Sequence, residues 1–136
     1  RSLAMLEKRK ADGEAYDLYI DLHRDAYAAD ANIRQTVNVG GTELARVLVL
    51  VGKGTNYAEK PNTEANRALG EKLSAALNAE AEGLCRGVSV KSGRYNQHTA
   101  DHCLLLECGN NRNALGEVTA MVPYLAQAID TALRDE

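Results

Sequence analysis

Tyr19-Ile20-Asp21-Leu22-His23-Arg24-Asp25 reads as an apolar strand that ends in side chains able to do chemistry. Tyr16, Leu18, Tyr19, Ile20 and Leu22 supply strand-forming residues over a short run, as a buried strand does. His23 falls where that strand is expected to stop, with Arg24 and Asp25 beside it. Open α/β sheets place ligands and catalysis beyond the carboxyl ends of their strands. A second stretch, Leu104-Leu105-Leu106-Glu107-Cys108-Gly109-Asn110, has the same grammar: three leucines, then a carboxylate, then Gly and Asn. One strand is expected to deliver an imidazole and the other a carboxylate to a single site.

The rest of the chain fits around these two strands as one domain. Its 136 residues suit a single core, and 45% hydrophobic with 26% charged residues is ordinary for a globular protein. Trp and Phe are both absent, so Leu, Val, Ile, Ala and six Tyr must fill that core. A net charge of −3 argues against a nucleic-acid binder, which needs a basic footprint. No apolar run approaches the roughly 20 residues of a membrane helix. Arg1 to Lys10 is a charged amphipathic start without the apolar centre of a signal peptide. Cys85, Cys103 and Cys108 are odd in number and irregular in spacing, so all three are expected as thiols.

Helical spacing covers Ser2 to Lys10, and Asp12-Gly13 marks a turn. Gln35 to Val39 and Thr42 to Val51 are two strand runs joined at Gly40-Gly41, a hairpin signal. Val47-Leu48-Val49-Leu50-Val51 shows no alternation, which implies burial on both faces and a place inside the sheet. Pro61-Asn62-Thr63 opens a helix whose stripe is Leu69, Leu73 and Leu77, with Gly83 as its stop. Arg86 to Lys91 is a short strand. Ser92 to Asp101 is a polar loop. The last helix carries the stripe Leu115, Val118, Val122, Leu125, Ile129 and Leu133, with a kink or restart expected at Pro123. This order favours a three-layer α/β domain.

His23 and Glu107 are the candidates for chemistry. A lone His at a strand end is also, commonly, a hydrogen-bonded surface residue. A carboxylate after three leucines either ends the strand in solvent or sits where its basicity is tuned, because burying it unpaired is costly. Together they fit a metallohydrolase, with His as a zinc ligand and Glu as the base for water. His98 and His102 form an i, i+4 pair, but Thr99 stands where a zinc protease helix needs Glu, and solvated loop histidines are the simpler reading. Gly52-Lys53-Gly54-Thr55 lacks the spacing of a phosphate loop. For Glu117, a helix first turn is explanation enough.

Taken together, Ile20-Asp21-Leu22-His23-Arg24-Asp25, Val51-Gly52, Asn66, Gly83-Leu84-Cys85-Arg86-Gly87, Arg94-Tyr95-Asn96-Gln97, Leu106-Glu107-Cys108-Gly109, Asn113 and Glu117 run nearly end to end along the chain. The set resembles the catalytic domain of stage II sporulation protein P, a family grouped with zinc-dependent N-acetylmuramoyl-L-alanine amidases. The resemblance implies an αβα amidase fold with a mixed sheet. It implies His23 as a zinc ligand and Glu107 as the catalytic glutamate, with Arg24, Asp25, Arg94, Asn96 and Gln97 lining the groove or bracing the ligands. It further implies peptidoglycan as substrate, an extracytoplasmic and membrane-anchored setting, a role in endospore engulfment, and stage II sporulation protein D as partner.

In that family a further metal-binding strand lies upstream. Residues 1–136 are therefore expected to be a C-terminal portion of the amidase domain, missing its first strand. A catalytic zinc needs three protein ligands, so the chain alone is expected to hold zinc weakly and to be inactive, unless His98, His102 or another chain adds ligands. The edge so exposed invites pairing, and a homodimer is the corollary. A non-catalytic peptidoglycan-binding module and a peptide cross-link endopeptidase are the rival functions.

Overall fold

The structure is a computed structural model that describes residues 2–28, 31–54, 62–93, 97 and 102–134. Its elements run α1 (Ser2–Ala11), β1 (Tyr19–Asp25), β2 (Thr36–Val39), β3 (Thr42–Ala45), β4 (Val47–Gly52), α2 (Thr63–Glu80), β5 (Cys85–Lys91), β6 (Cys103–Asn110) and α3 (Leu115–Arg134). A mixed sheet has the order β1-β6-β4-β5, and β2 and β3 form a separate two-stranded ribbon. β1 runs parallel to β6, β6 antiparallel to β4, and β4 parallel to β5. The chain is thus a mixed α/β fold.

Side-chain alternation divides the sheet into two faces. Val47, Val49, Val51, Leu104 and Leu106 point to one face and join a single core with Leu69, Leu73 and Leu77 of α2 and Met121, Leu125, Ala128 and Ala132 of α3. Each fully buried leucine there contributes about 2 kcal/mol by leaving water. α2 rides close to β4 at Gly70, where a Cβ would stand 3.1 Å from Val49 Cγ1. α1 lies beside the start of β1. Its Met5 and Leu6 line a cavity of about 240 Å³ with Leu18, Tyr19, Ile20, Asp21 and Cys103. Among the described residues β1 is an edge strand, paired through β6.

The hairpin forms at Gly40 and Gly41, whose φ angles of 59° and 89° are the left-handed pair that a two-residue turn requires. The expected run Thr42 to Val51 breaks at Arg46, however. β3 belongs to the ribbon, and only β4 enters the sheet, between β6 and β5. Gly109 N–H donates to Arg46 O and Arg46 Nε donates to Gly83 O, so the chain changes sheets at that residue.

The last helix also departs from its expected stripe. Leu115 and Val122 are exposed, and Met121, Leu125, Ala128 and Ala132 are the buried positions. Small residues let α3 approach the core closely, a signal that counting Leu, Val and Ile passes over. The helix runs unbroken through Pro123. α2 ends at Glu80, three residues before Gly83. Pro61 lies outside the described residues.

Candidate functional site

β1 and β6 bring the two candidate residues side by side. In the parallel ladder His23 is the register partner of Glu107, and Leu48 of β4 stands across from Glu107 on the other side. Alternation from Leu104 and Leu106 turns Glu107, and from Ile20 and Leu22 turns His23, away from the α2–α3 face. Both residues lie inside their strands, because β1 extends to Asp25 and β6 to Asn110.

His23 is exposed, and its Nε2 lies 2.9 Å from Asp21 Oδ1. Glu107 is half-buried, with its Oε2 atom buried and, among the described residues, without a hydrogen-bond partner. Burial above all, and then the neighbouring Asp25 carboxylate, raise the Glu107 pKa, while His23 and Arg86 pull the other way. A carboxyl raised in this way holds a proton more readily than an exposed one.

Beyond His23 the ladder slips by one residue, so that Asp25 pairs with Asn110. The slip sends Asp25 toward the start of β5, where Arg86 Nη1 meets its carboxylate at 3.0 Å. Burial opposes the charge on Asp25, but the bond from Arg86 and its other bonds outweigh it and hold the carboxyl below its ordinary value. The Arg86 guanidinium also lies over the Tyr27 ring, 5.2 Å from its centroid. Asn111 fixes that loop by accepting from Tyr27 N–H at 2.9 Å and donating to Tyr27 O at 3.3 Å.

The turn after Glu107 has its own frame. Gly109 adopts φ 75°, and Asn113 Oδ1 accepts from Asn110 N–H at 2.8 Å. Asn113 Nδ2 donates to Gln35 O and to Glu117 Oε1, both at 3.1 Å. Glu117 reaches back to Ala114 N–H at 2.9 Å, so this carboxylate caps α3.

Not all of the expected site residues converge. Arg24 is exposed and lines a cavity with Asn110, Asn113, Leu115 and Val118, toward α3 rather than beside Glu107. Gln97 is fully buried at the opposite end of β4. It accepts from Gly52 N–H, donates to Leu50 O, and presents its own carbonyl to Asn66. Asn66 Oδ1 in turn accepts from Cys103 N–H, so Asn66 and Gln97 tie α2, β4 and β6 together. Arg94, Asn96 and His98 lie outside the described residues. His102 contacts Asp17 O at the start of β6, five residues and about 16 Å of strand from Glu107. It is too far to share a metal with His23. Tyr27, Arg46, Arg86 and Asn111 gather near the site without having been singled out. Arg86 stands within the Gly-Leu-Cys-Arg-Gly segment, but nothing in that spacing says which strand end it meets.

Among the described residues, no three His, Cys, Asp or Glu side chains are grouped to hold a metal ion. His23 and Asp21 come together as a pair only. The described donors therefore do not make a zinc site by themselves.

The class these features define is a mixed α/β domain whose sheet sets an imidazole and a half-buried carboxylate side by side on one face, next to an Arg–Asp pair. The family profile of stage II sporulation protein P matches residues 1–130. The chain belongs to the stage II sporulation protein P family, and its biological setting is sporulation. A comparison with curated proteins returns no match.

Proposed function

We propose that this domain hydrolyses peptidoglycan during engulfment, outside the cytoplasmic membrane, at the amide between N-acetylmuramic acid and L-alanine. Stage II sporulation protein D is the proposed partner. Among the described residues no helix is long and apolar enough to cross a membrane. The observation that carries the catalytic reading is Glu107. Its buried Oε2 lacks a partner among the described residues, its pKa is raised, and it stands in register with His23. In the proposed chemistry Glu107 takes a proton from the attacking water and returns it to the leaving amine. His23 is one proposed zinc ligand. The other donors would come from outside the described residues, and no step is assigned to the metal.

The absence of a three-donor group among the described residues favours one rival, a module that binds peptidoglycan without cutting it. Mass analysis of products separates the readings. Purified sacculi, treated with a zinc-supplemented form extended upstream, should release stem peptides that begin with a free L-alanine amine. Glu107→Gln keeps the side-chain shape but loses the proton acceptor, so it should release none while retaining the fold. Equal turnover by the variant would remove Glu107 from the mechanism. Cleavage confined to peptide cross-links would establish an endopeptidase. Binding without products, in this chain and in a form extended upstream, would establish the binding module.

A further inference from the structure

The face that carries His23 and Glu107 continues back along β1 to a pair of aromatic rings that the hydrolytic reading does not use. Alternation sets Tyr19, Asp21 and His23 on that face, with Tyr19 about 13 Å of strand from His23. The Tyr19 ring meets the Tyr16 ring edge to face, with centroids 5.7 Å apart and planes at 87°. Tyr16 is 57% exposed, a large aromatic left to solvent in a chain without Trp or Phe. Its hydroxyl donates to Glu14 Oε2 at 3.0 Å, and Arg9 Nη1 donates to the same oxygen at 3.0 Å, so the ring is held by its tip. Beside Tyr19 opens the cavity of about 240 Å³ that Met5 and Leu6 of α1 line together with Asp21. The two carboxylates beside the rings already have partners, Arg9 for Glu14 and His23 for Asp21. What the place offers a ligand is ring faces, an apolar wall and hydrogen-bonding oxygens. That combination suits a neutral, polyhydroxylated ligand better than an ion.

We propose that Tyr16 and Tyr19, with the apolar wall at Met5, form a subsite for the glycan strand of the substrate. The choice of an N-acetylated glycan rests on the proposed substrate. In that substrate the scissile amide is joined to a sugar through a lactyl ether, so a sugar ring must lie within a few bonds of Glu107. The C–H bonds on one face of a pyranose present positive hydrogens, which the negative face of a tyrosine ring attracts. Tyrosines have few side-chain torsions and lose little freedom in holding such a ligand. An N-acetyl methyl group meets the wall at Met5, which is itself exposed. The Tyr16 hydroxyl and the Asp21 carboxylate have lone pairs to accept from sugar hydroxyls. The glycan then lies along the start of β1, from Tyr16 towards His23, and the stem peptide leaves past Asp25.

The test reads binding, not turnover, so its failure leaves Glu107 untouched and failure of the Glu107 assignment leaves the subsite untouched. Carbon-13 NMR of the tyrosine rings and methionine methyls is followed as the chain is titrated with chitotetraose, with maltotetraose, and with the dipeptide L-alanyl-D-glutamate. Chitotetraose, an N-acetylated glycan without peptide, should shift the Tyr16, Tyr19 and Met5 signals. Maltotetraose, which lacks N-acetyl groups, and the dipeptide should not. Tyr16 is exposed, so Tyr16→Ala leaves the fold intact and should weaken chitotetraose binding about fivefold. Tyr16→Phe keeps the ring and should bind much as the parent does. No shift at these signals, or an unchanged dissociation constant in Tyr16→Ala, would overturn the subsite. Equal weakening by Phe and Ala would overturn the stacking. Binding of maltotetraose as tight as that of chitotetraose would overturn the assignment to an N-acetylated glycan, and binding of the dipeptide at the same signals would give the place to the stem peptide instead.

Discussion

Replacing Gly109 by Ala tests the frame that sets Glu107. Gly109 has φ 75°, a conformation that costs an L-residue about 1–2 kcal/mol. The new Cβ would stand 2.8 Å from Asn113 Oδ1 and 3.2 Å from Ala45 Cβ. Ala45 is fully buried and belongs to β3, so Asn113 must be the group that gives way. Asn113 then loosens its bonds to Asn110 N–H and Gln35 O, each worth about 1 kcal/mol. Reduced freedom of the unfolded chain returns about 0.5–1 kcal/mol. The sum is a loss of roughly 2–3 kcal/mol. For a chain of 136 residues, an unfolding entropy of about 2.1 cal/mol/K per residue converts this to a fall in Tm of about 7–10 °C. Thermal unfolding followed by circular dichroism measures it. Adding Asn113→Ala removes the atoms in conflict, so the double variant should lose less than the sum of the single ones. A loss below about 0.5 kcal/mol for Gly109→Ala, or strict additivity with Asn113→Ala, would refute the steric account.

Asn66→Leu keeps the volume of a fully buried side chain but removes the bonds that Asn66 makes to Cys103 N–H and Gln97 O, at a cost of about 2–4 kcal/mol by urea unfolding. A variant as stable as the parent would show that the α2–β6 tie is dispensable. Cys108 is raised from 9.0 to about 11 by burial first and then by Glu107. At pH 8 it should therefore react with iodoacetamide about a hundredfold more slowly than an ordinary thiol, since the thiolate is the nucleophile. Because the folded pKa is the higher one, the stability tied to this thiol is intact below pH 9 and declines as pH rises from 9 towards 11. Labelling of Cys108 at the rate of an exposed thiol would contradict its burial. No disulfide joins Cys85, Cys103 and Cys108, so reduction should leave the mass unchanged.

By itself, the sequence determined the mixed α/β class, the strands that carry His23 and Glu107, and the hairpin at Gly40-Gly41. These rest on local signals: unbroken runs of Val and Leu where both faces are buried, and paired glycines where φ must be positive. The family was legible because its motifs are short contiguous runs of the chain, read without knowing what pairs with what. Only the tertiary structure decided what meets what. That His23 and Glu107 are register neighbours depends on β1 pairing with β6 across some eighty residues of chain, which no local pattern encodes. The slip after His23 turns Asp25 toward Arg86, and the break at Arg46 moves β3 out of the sheet. Gln97 and Arg24 could be placed near the site by motif, but pairing and packing put one at the far end of β4 and the other beside α3. Periodicity and spacing describe one segment at a time, whereas a site is made where distant segments are held together by pairing and burial.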